Sequence, residues 1–140
     1  MLYVDTSVIV AYYCPEPLSD KVEKILIKTQ NPAISQLTEL EFTSALARKI
    51  REKSLAQDDG RKILSLFQTH LEQKSYIRLP FQPKHYAQAK DWLSQFKTPL
   101  RTLDALHLAI AAGHDLPIIT ADEKLASSAG ILGVKANLIG

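Results

Sequence analysis

The sequence predicts one α/β domain: a mainly parallel sheet of about five strands flanked by helices. Three observations carry this. Short apolar runs recur along the chain, each stopped by a turn or polar cluster. Between them lie longer segments whose apolar residues return every three or four positions, the period of an amphipathic helix. The 140 residues suit a single ordinary core and leave no room for a second.

The first element, "MLYVDTS", is a short apolar run ending in polar residues, as expected of a strand buried on both faces. "VIVAYY" then continues as a helical turn until "CPEP" breaks it. From Ser19 to Thr29, Val22, Ile25 and Leu26 have helical spacing, with Ser19 or Asp20 available as a cap. Asn31-Pro32 marks a turn before "AIS", the second strand. A helix follows from about Leu37 to Lys53, with Phe42, Ala45, Leu46 and Ile50 on one face. "SLAQDDG" interrupts it, and Ile63, Leu64, Phe67 and Leu71 define a second helix. Together they make a helical hairpin over about 37–73.

"YIRLP" is the third strand, stopped by Pro80, and Pro83 opens the next helix at its first position. The helix of "RTLDALHLAIAAG" ends at Gly113. "LPIIT" is the fourth strand, "DEKLASSAG" a helix closed by Gly130, and "VKANLI" the fifth strand.

Composition narrows the function. Hydrophobic residues at 46% and charged residues at 23% indicate a folded globular chain. The longest uncharged apolar stretch, Leu106 to Gly113, is far too short to span a bilayer. No secretory leader is expected, because Asp5 interrupts the N-terminal apolar run, so a cytoplasmic location is anticipated. The single cysteine, Cys14, rules out an internal disulfide or a Cys-rich zinc site and reads as a small buried hydrophobe. A net charge of +2 is compatible with a nucleic-acid partner without identifying one, and the basic residues from Arg48 to Lys62 have a plain reading as a solvated helix face.

In open parallel sheets, residues just past the carboxyl ends of strands converge on one crevice. Asp5 lies at the end of the first strand and Asp122 just past the fourth. Glu41 sits near the start of the helix after the second, and Asp104 near the start of the helix preceding the fourth. Four such carboxylates repel one another and raise each other's pKa unless cations bind among them. Hard oxygen ligands suit Mg²⁺ or Mn²⁺, and the chemistry that follows is metal-assisted hydrolysis of a phosphodiester.

Each acid also has a local explanation. Thr38 and Glu41 have capping-box spacing, and Asp104 follows Thr102 where a helix dipole favours an acid. Asp122 is placed to cap "EKLASS", and Asp5 to close an Asx-turn. Asp5 fits its local explanation least, since it follows the run expected to be the central buried strand. Glu39 serves as a control, two residues from Glu41 and so on another side of the helix.

"YVDTSVIV", "SQLTELEFTSAL" from Ser35, "LDALHLAIA" from Leu103 and "IITADEKLA" from Ile118 together resemble the PIN domain, specifically VapC-type toxins of bacterial toxin–antitoxin pairs. The resemblance runs nearly end to end, with the segments in matching order and spacing. It implies a PIN-like three-layer fold and a divalent-metal-dependent endoribonuclease acting on RNA. Asp5 matches the family's first strand-end acid, the main metal ligand. Glu41 matches the acid of S-x₅-E from Ser35, Asp104 that of the D-A-x-H-x-A helix, and Asp122 that of T-x-D. Thr6, Ser7 and Thr120 occupy the family's hydroxyl positions, bonding to the carboxylates or to metal-bound water. The resemblance further implies a cognate antitoxin, with the 37–73 hairpin as its docking surface, and a homodimer.

His107 lies three residues after Asp104 on the same helix face, as a general acid would. Its apolar neighbours favour a hydrogen-bonded core histidine instead. His70, His85 and His114 have no metal-ligand spacing and are taken as surface or structural. Arg101 has two equal readings, a contact to an RNA phosphate or a pair with Asp104.

Rival classes fit less well. A haloacid-dehalogenase-type phosphatase wants a second Asp two residues after the first, where this chain has Ser7. A receiver domain expects an acidic pair after the first strand and an acceptor Asp after the third, where "YIRLPFQP" offers none. A non-catalytic α/β module binding RNA or a protein is the remaining alternative, and retention of all four acids argues against it.

Overall fold

Tyr3 and Val4 are neighbours in the first strand, both 0% exposed, yet each is buried in a different core. Successive strand residues point to opposite faces, so both faces of this sheet must be covered. The computed structural model, which describes residues 1–140, shows how.

The elements are β1 (Leu2–Val4), α1 (Thr6–Tyr13), α2 (Ser19–Lys28), β2 (Pro32–Ser35), α3 (Gln36–Arg51), α4 (Gln57–Glu72), β3 (Ile77–Leu79), α5 (Pro83–Ser94), α6 (Thr102–Gly113), β4 (Ile118–Thr120), α7 (Glu123–Ile131) and β5 (Ala136–Leu138). The five strands form one sheet in the order β3-β2-β1-β4-β5. Every pairing is parallel, with Tyr3 opposite Ala33 on one side and Ile118 on the other. The predicted α/β class, strand number and parallel pairing are all present.

On one face Tyr3, Ala33, Leu79 and Ile118 meet Ala89 and Trp92 of α5, Ala105, Leu108 and Ala109 of α6, and Leu125 and Ala129 of α7. On the other, Val4, Ile34 and Ile119 meet Val8 and Ile9 of α1, Val22 of α2, Phe42 and Leu46 of α3, and Phe67 and Leu71 of α4. The result is three layers, helix–sheet–helix. In the second core the rings of Phe42 and Phe67 pack edge-on at 4.8 Å.

Several boundaries differ from expectation, each for a local reason. α1 starts at Thr6, directly behind Asp5, so β1 is shorter than "MLYVDTS" suggests. Neither Ser19 nor Asp20 caps α2; Leu18 stands there, and the Ser19 hydroxyl reaches back to the Ala11 carbonyl at 2.7 Å. α4 begins at Gln57, which brings Asp58 and Asp59 into its first turn, where acids complement the helix dipole. Gly60 then lies where an added Cβ would stand 2.8 Å from Ile50, so the hairpin closes tightly at that point. α7 runs through Gly130, and the left-handed residue past its end is Gly133, with φ +76°. No helix is long and apolar enough to cross a membrane.

Candidate active site

Parallel pairing brings every strand's carboxyl end to one edge, and the acids gather there. Asp5 ends β1 and is 5% exposed. It occupies the N-cap position of α1 but its side chain makes no cap bond. Instead its Oδ2 accepts from Ser7 Oγ at 2.7 Å and from Thr120 Oγ1 at 2.8 Å. The same hydroxyls stitch the β4 end down: Ala121 N–H donates to Ser7 Oγ at 3.1 Å and Asp122 N–H to Thr120 Oγ1 at 3.0 Å.

Glu41 projects from the second turn of α3. The capping box there belongs to Ser35 and Thr38, whose Oγ1 accepts from the Ser35 amide at 3.2 Å, so Glu41 is not a capping residue. Its Oε1 accepts from Thr6 Oγ1 at 2.8 Å and from His107 Nε2. Burial alone would raise this carboxyl, but the hydrogen bond and charge of His107, with the bond from Thr6, outweigh it and hold Glu41 below the usual carboxylate range.

Asp122 is both a strand-end acid and a cap: its Oδ1 accepts from the amides of Lys124 at 2.9 Å and Leu125 at 3.3 Å. Asp104 stands in the first turn of α6, half-buried. Its carboxyl is pushed above the usual range, first by burial and next by the charge of Asp5, with smaller contributions from Asp122 and Glu41; the Arg101 backbone offsets part of this. Asp104 therefore lies in the field of the other three acids.

One regularity unites the set. Asp5, Glu41 and Asp122 each direct their hydrogen bonds to a single oxygen, leaving the other without a protein donor. Asp104 has no side-chain donor on either oxygen. No three His, Cys, Asp or Glu side chains close into a ready-made metal cage. An open arrangement of hard oxygen donors fits a hydrated Mg²⁺ or Mn²⁺, which keeps several of its waters.

Two residues behind this edge orient it. His107 is 0% exposed, with Nδ1 2.6 Å from the Tyr3 hydroxyl and Nε2 toward Glu41. An ionised carboxylate only accepts, so Nε2 is the donor. Tyr3 also lies 2.9 Å from Ser35 Oγ, and burial raises its phenol far above the ordinary range, keeping it protonated. Sequence reasoning missed Tyr3. Its one signal was a hydroxyl-bearing ring in an otherwise aliphatic strand.

Arg101 is exposed at the N-cap of α6 and forms no ion pair with Asp104. Glu39 faces away and grips Arg78 of β3 with two hydrogen bonds of 2.9 Å. His85 is buried at the start of α5, and Cys14 is buried too.

A parallel three-layer α/β domain with an acidic crevice at its strand ends is thus defined. The sequence profile of the PIN domain matches residues 2–131, and the chain belongs to that family. Solved structures share the fold. FitAcB from Neisseria gonorrhoeae is 23% identical with a TM-score of 0.70, covering 97% of this chain and 96% of its own. VapBC2 from Rickettsia felis, bound to a DNA fragment from its promoter, is 17% identical at 0.72, with 100% of both chains covered. VapC20 from Mycobacterium tuberculosis, a sarcin-ricin loop cleaving toxin, is 13% identical at 0.74, covering 91% and 95%. Among proteins of curated function, none matches.

Proposed function

We propose that this protein is a divalent-metal-dependent endoribonuclease and the toxin of a type II toxin–antitoxin pair. The observation that carries the reading is the acidic edge itself: Asp5, Glu41, Asp104 and Asp122 meet there, with one oxygen of three of them tied back and the rest left open. The fold likeness to toxins and toxin–antitoxin complexes supports it.

Asp5, Asp104, Glu41 and Asp122 would hold Mg²⁺ or Mn²⁺, with Asp5 as the principal ligand. When bound, such an ion neutralises charge on a phosphodiester and makes a water more acidic. The protein's own share is positioning. Ser7 and Thr120 fix Asp5, Thr6 and His107 fix Glu41, and the α7 amides fix Asp122. Arg101, exposed beside Asp104, is placed to meet an RNA phosphate.

The partners proposed are RNA, a cognate antitoxin and a second copy in a cytoplasmic homodimer. The hairpin of α3 and α4 is the antitoxin surface. A groove there is lined by Thr43, Leu64, Phe67 and Leu71, with Leu40 68% exposed and Leu66 50% exposed nearby.

The test compares wild type with Asp5→Asn on single-stranded and structured RNAs, with Mg²⁺ and with EDTA. Cleavage is expected only from wild type with Mg²⁺. Equal cleavage by both proteins, or activity surviving EDTA, overturns the proposal.

A further inference from the structure

Phe96 is 92% exposed, more than any other large hydrophobic residue of the chain. It follows Gln95, the C-cap of α5, and has φ +55°. That left-handed position is normally taken by Gly or Asn and disfavours a bulky side chain. Four other non-glycine residues share the conformation, Asn31, Lys53, Lys74 and Asp115, and all are polar. Folding gains nothing from a phenyl ring here, since the ring buries almost no surface.

The ring's place in the fold gives it a use. His85, in the first turn of α5, packs against Gly113 and His114 at the far end of α6, with its ring 5.4 Å from that of His114. The two helices are therefore antiparallel, and the loop of residues 95–101 joining them stands at the Asp104 end. Leu100 anchors this loop to the core. Lys97 and Arg101, both exposed and in no ion pair, lie on the same loop.

We infer that the α5–α6 loop is a recognition arm for single-stranded RNA, with Phe96 stacking on an unpaired base and Lys97 and Arg101 meeting adjacent phosphates. The inference rests on the ribonuclease reading. An aromatic face accepts any base, and cations flanking it track the backbone. Two exposed cations that pair with no acid of the chain suit a polyanion lying along the rim.

The test uses the Asp5→Asn background with Mg²⁺, so that RNA is not consumed, and a fluorescein-labelled single-stranded oligoribonucleotide pool of randomised sequence. Phe96→Ala is expected to weaken binding about five- to hundred-fold by anisotropy, whereas Phe96→Trp retains it. The new indole should be quenched by RNA above the background of buried Trp92. Leu103→Ser is the control, because Leu103 is 41% exposed in the first turn of α6. It should bind RNA as the parent does.

Unchanged RNA binding by Phe96→Ala overturns the inference. So does a shift in sedimentation by both Phe96→Ala and Leu103→Ser with RNA binding intact, which would assign the patch to a protein partner or a second copy. If the chain with Asp5 restored still cleaves RNA in either case, only the arm falls. If that chain neither binds nor cleaves RNA, the ribonuclease reading falls first and takes the arm with it.

Discussion

His107, wholly buried in α6, donates through Nε2 to the Glu41 oxygen that also takes the Thr6 hydroxyl. The contact joins residues 66 apart in sequence and locks the one acid of the site that stands on α3. Behind it, the Tyr3 hydroxyl meets His107 Nδ1 at 2.6 Å and fixes the imidazole's orientation. Tyr3→Phe removes that hydroxyl and leaves a buried nitrogen unpaired. Stability should fall by about 1–2 kcal/mol in denaturant unfolding. Mn²⁺ affinity, read by calorimetry, should fall about ten-fold, as it does when outer-shell partners of metal ligands are lost. Unchanged Mn²⁺ affinity would show that the relay only supports the fold.

Glu39 and Glu41 separate a surface ion pair from a site residue within half a turn of helix. Glu39→Gln weakens an exposed pair with Arg78 and should cost less than about 1 kcal/mol, with RNA cleavage nearly intact. Glu41→Gln should abolish cleavage. Similar activities for the two variants would mean that the face of α3 is misassigned.

Asp104 makes the metal-free protein's stability depend on pH in a definite direction. Burial, and then the charge of Asp5, raise its native pKa above that of the unfolded chain. Its contribution is therefore fully present below the unfolded pKa, about 4, and is lost as pH rises through the native value. Asp104→Asn lacks this loss. In EDTA the variant should melt above wild type at neutral pH, and the gap should close on acidification below about pH 4. A gap that does not change with pH would remove the electrostatic explanation.

Two helical glycines should respond oppositely to alanine. At Gly130 nothing lies within 4 Å of an added Cβ, so Gly130→Ala should stabilise by about 0.5–1 kcal/mol through helix propensity. At Gly113 the Cβ would stand 2.8 Å from His85 Nε2 and 2.9 Å from its Cδ2. That ring is held by the Gln82 amide, which donates to Nδ1 at 3.0 Å, so it has little room to yield. Gly113→Ala should destabilise by about 1–3 kcal/mol despite the better propensity. Thermal melts of the pair decide it, and the same sign at both sites would contradict the packing described.

The sheet was legible because its signals are local. The apolar run that follows the Asn31-Pro32 turn and the one that stops at Pro80 mark strands, and the four-residue spacing of Phe42 and Leu46, and of Phe67 and Leu71, marks helix faces. The rule for parallel sheets then placed Asp5, Glu41, Asp104 and Asp122 at one edge. Helix ends were less legible. Gly130 looked like a stop, but glycine is tolerated inside a helix, and Gly133 makes the left-handed turn. Which oxygen Thr6 or His107 serves was beyond sequence reasoning, since partners 35 and 66 residues away share no spacing rule. Tyr3 escaped for a similar reason: burial between two helical layers hides a hydroxyl whose only partners are Ser35, Thr38 and His107.

The central position of β1 bears on the order of folding. Its partner β4 pairs across more than a hundred residues, Tyr3 with Ile118. Closing so long a loop is slow relative to forming a helix or hairpin. The Thr120 hydroxyl that holds Asp5 arrives only with that pairing. Helices α3 and α4 can meet well before then, whereas the acidic edge is assembled among the last contacts. Until β4 pairs, Asp5 has Ser7 but not Thr120 to hold it, and the onset of ion binding during refolding should coincide with β1–β4 pairing.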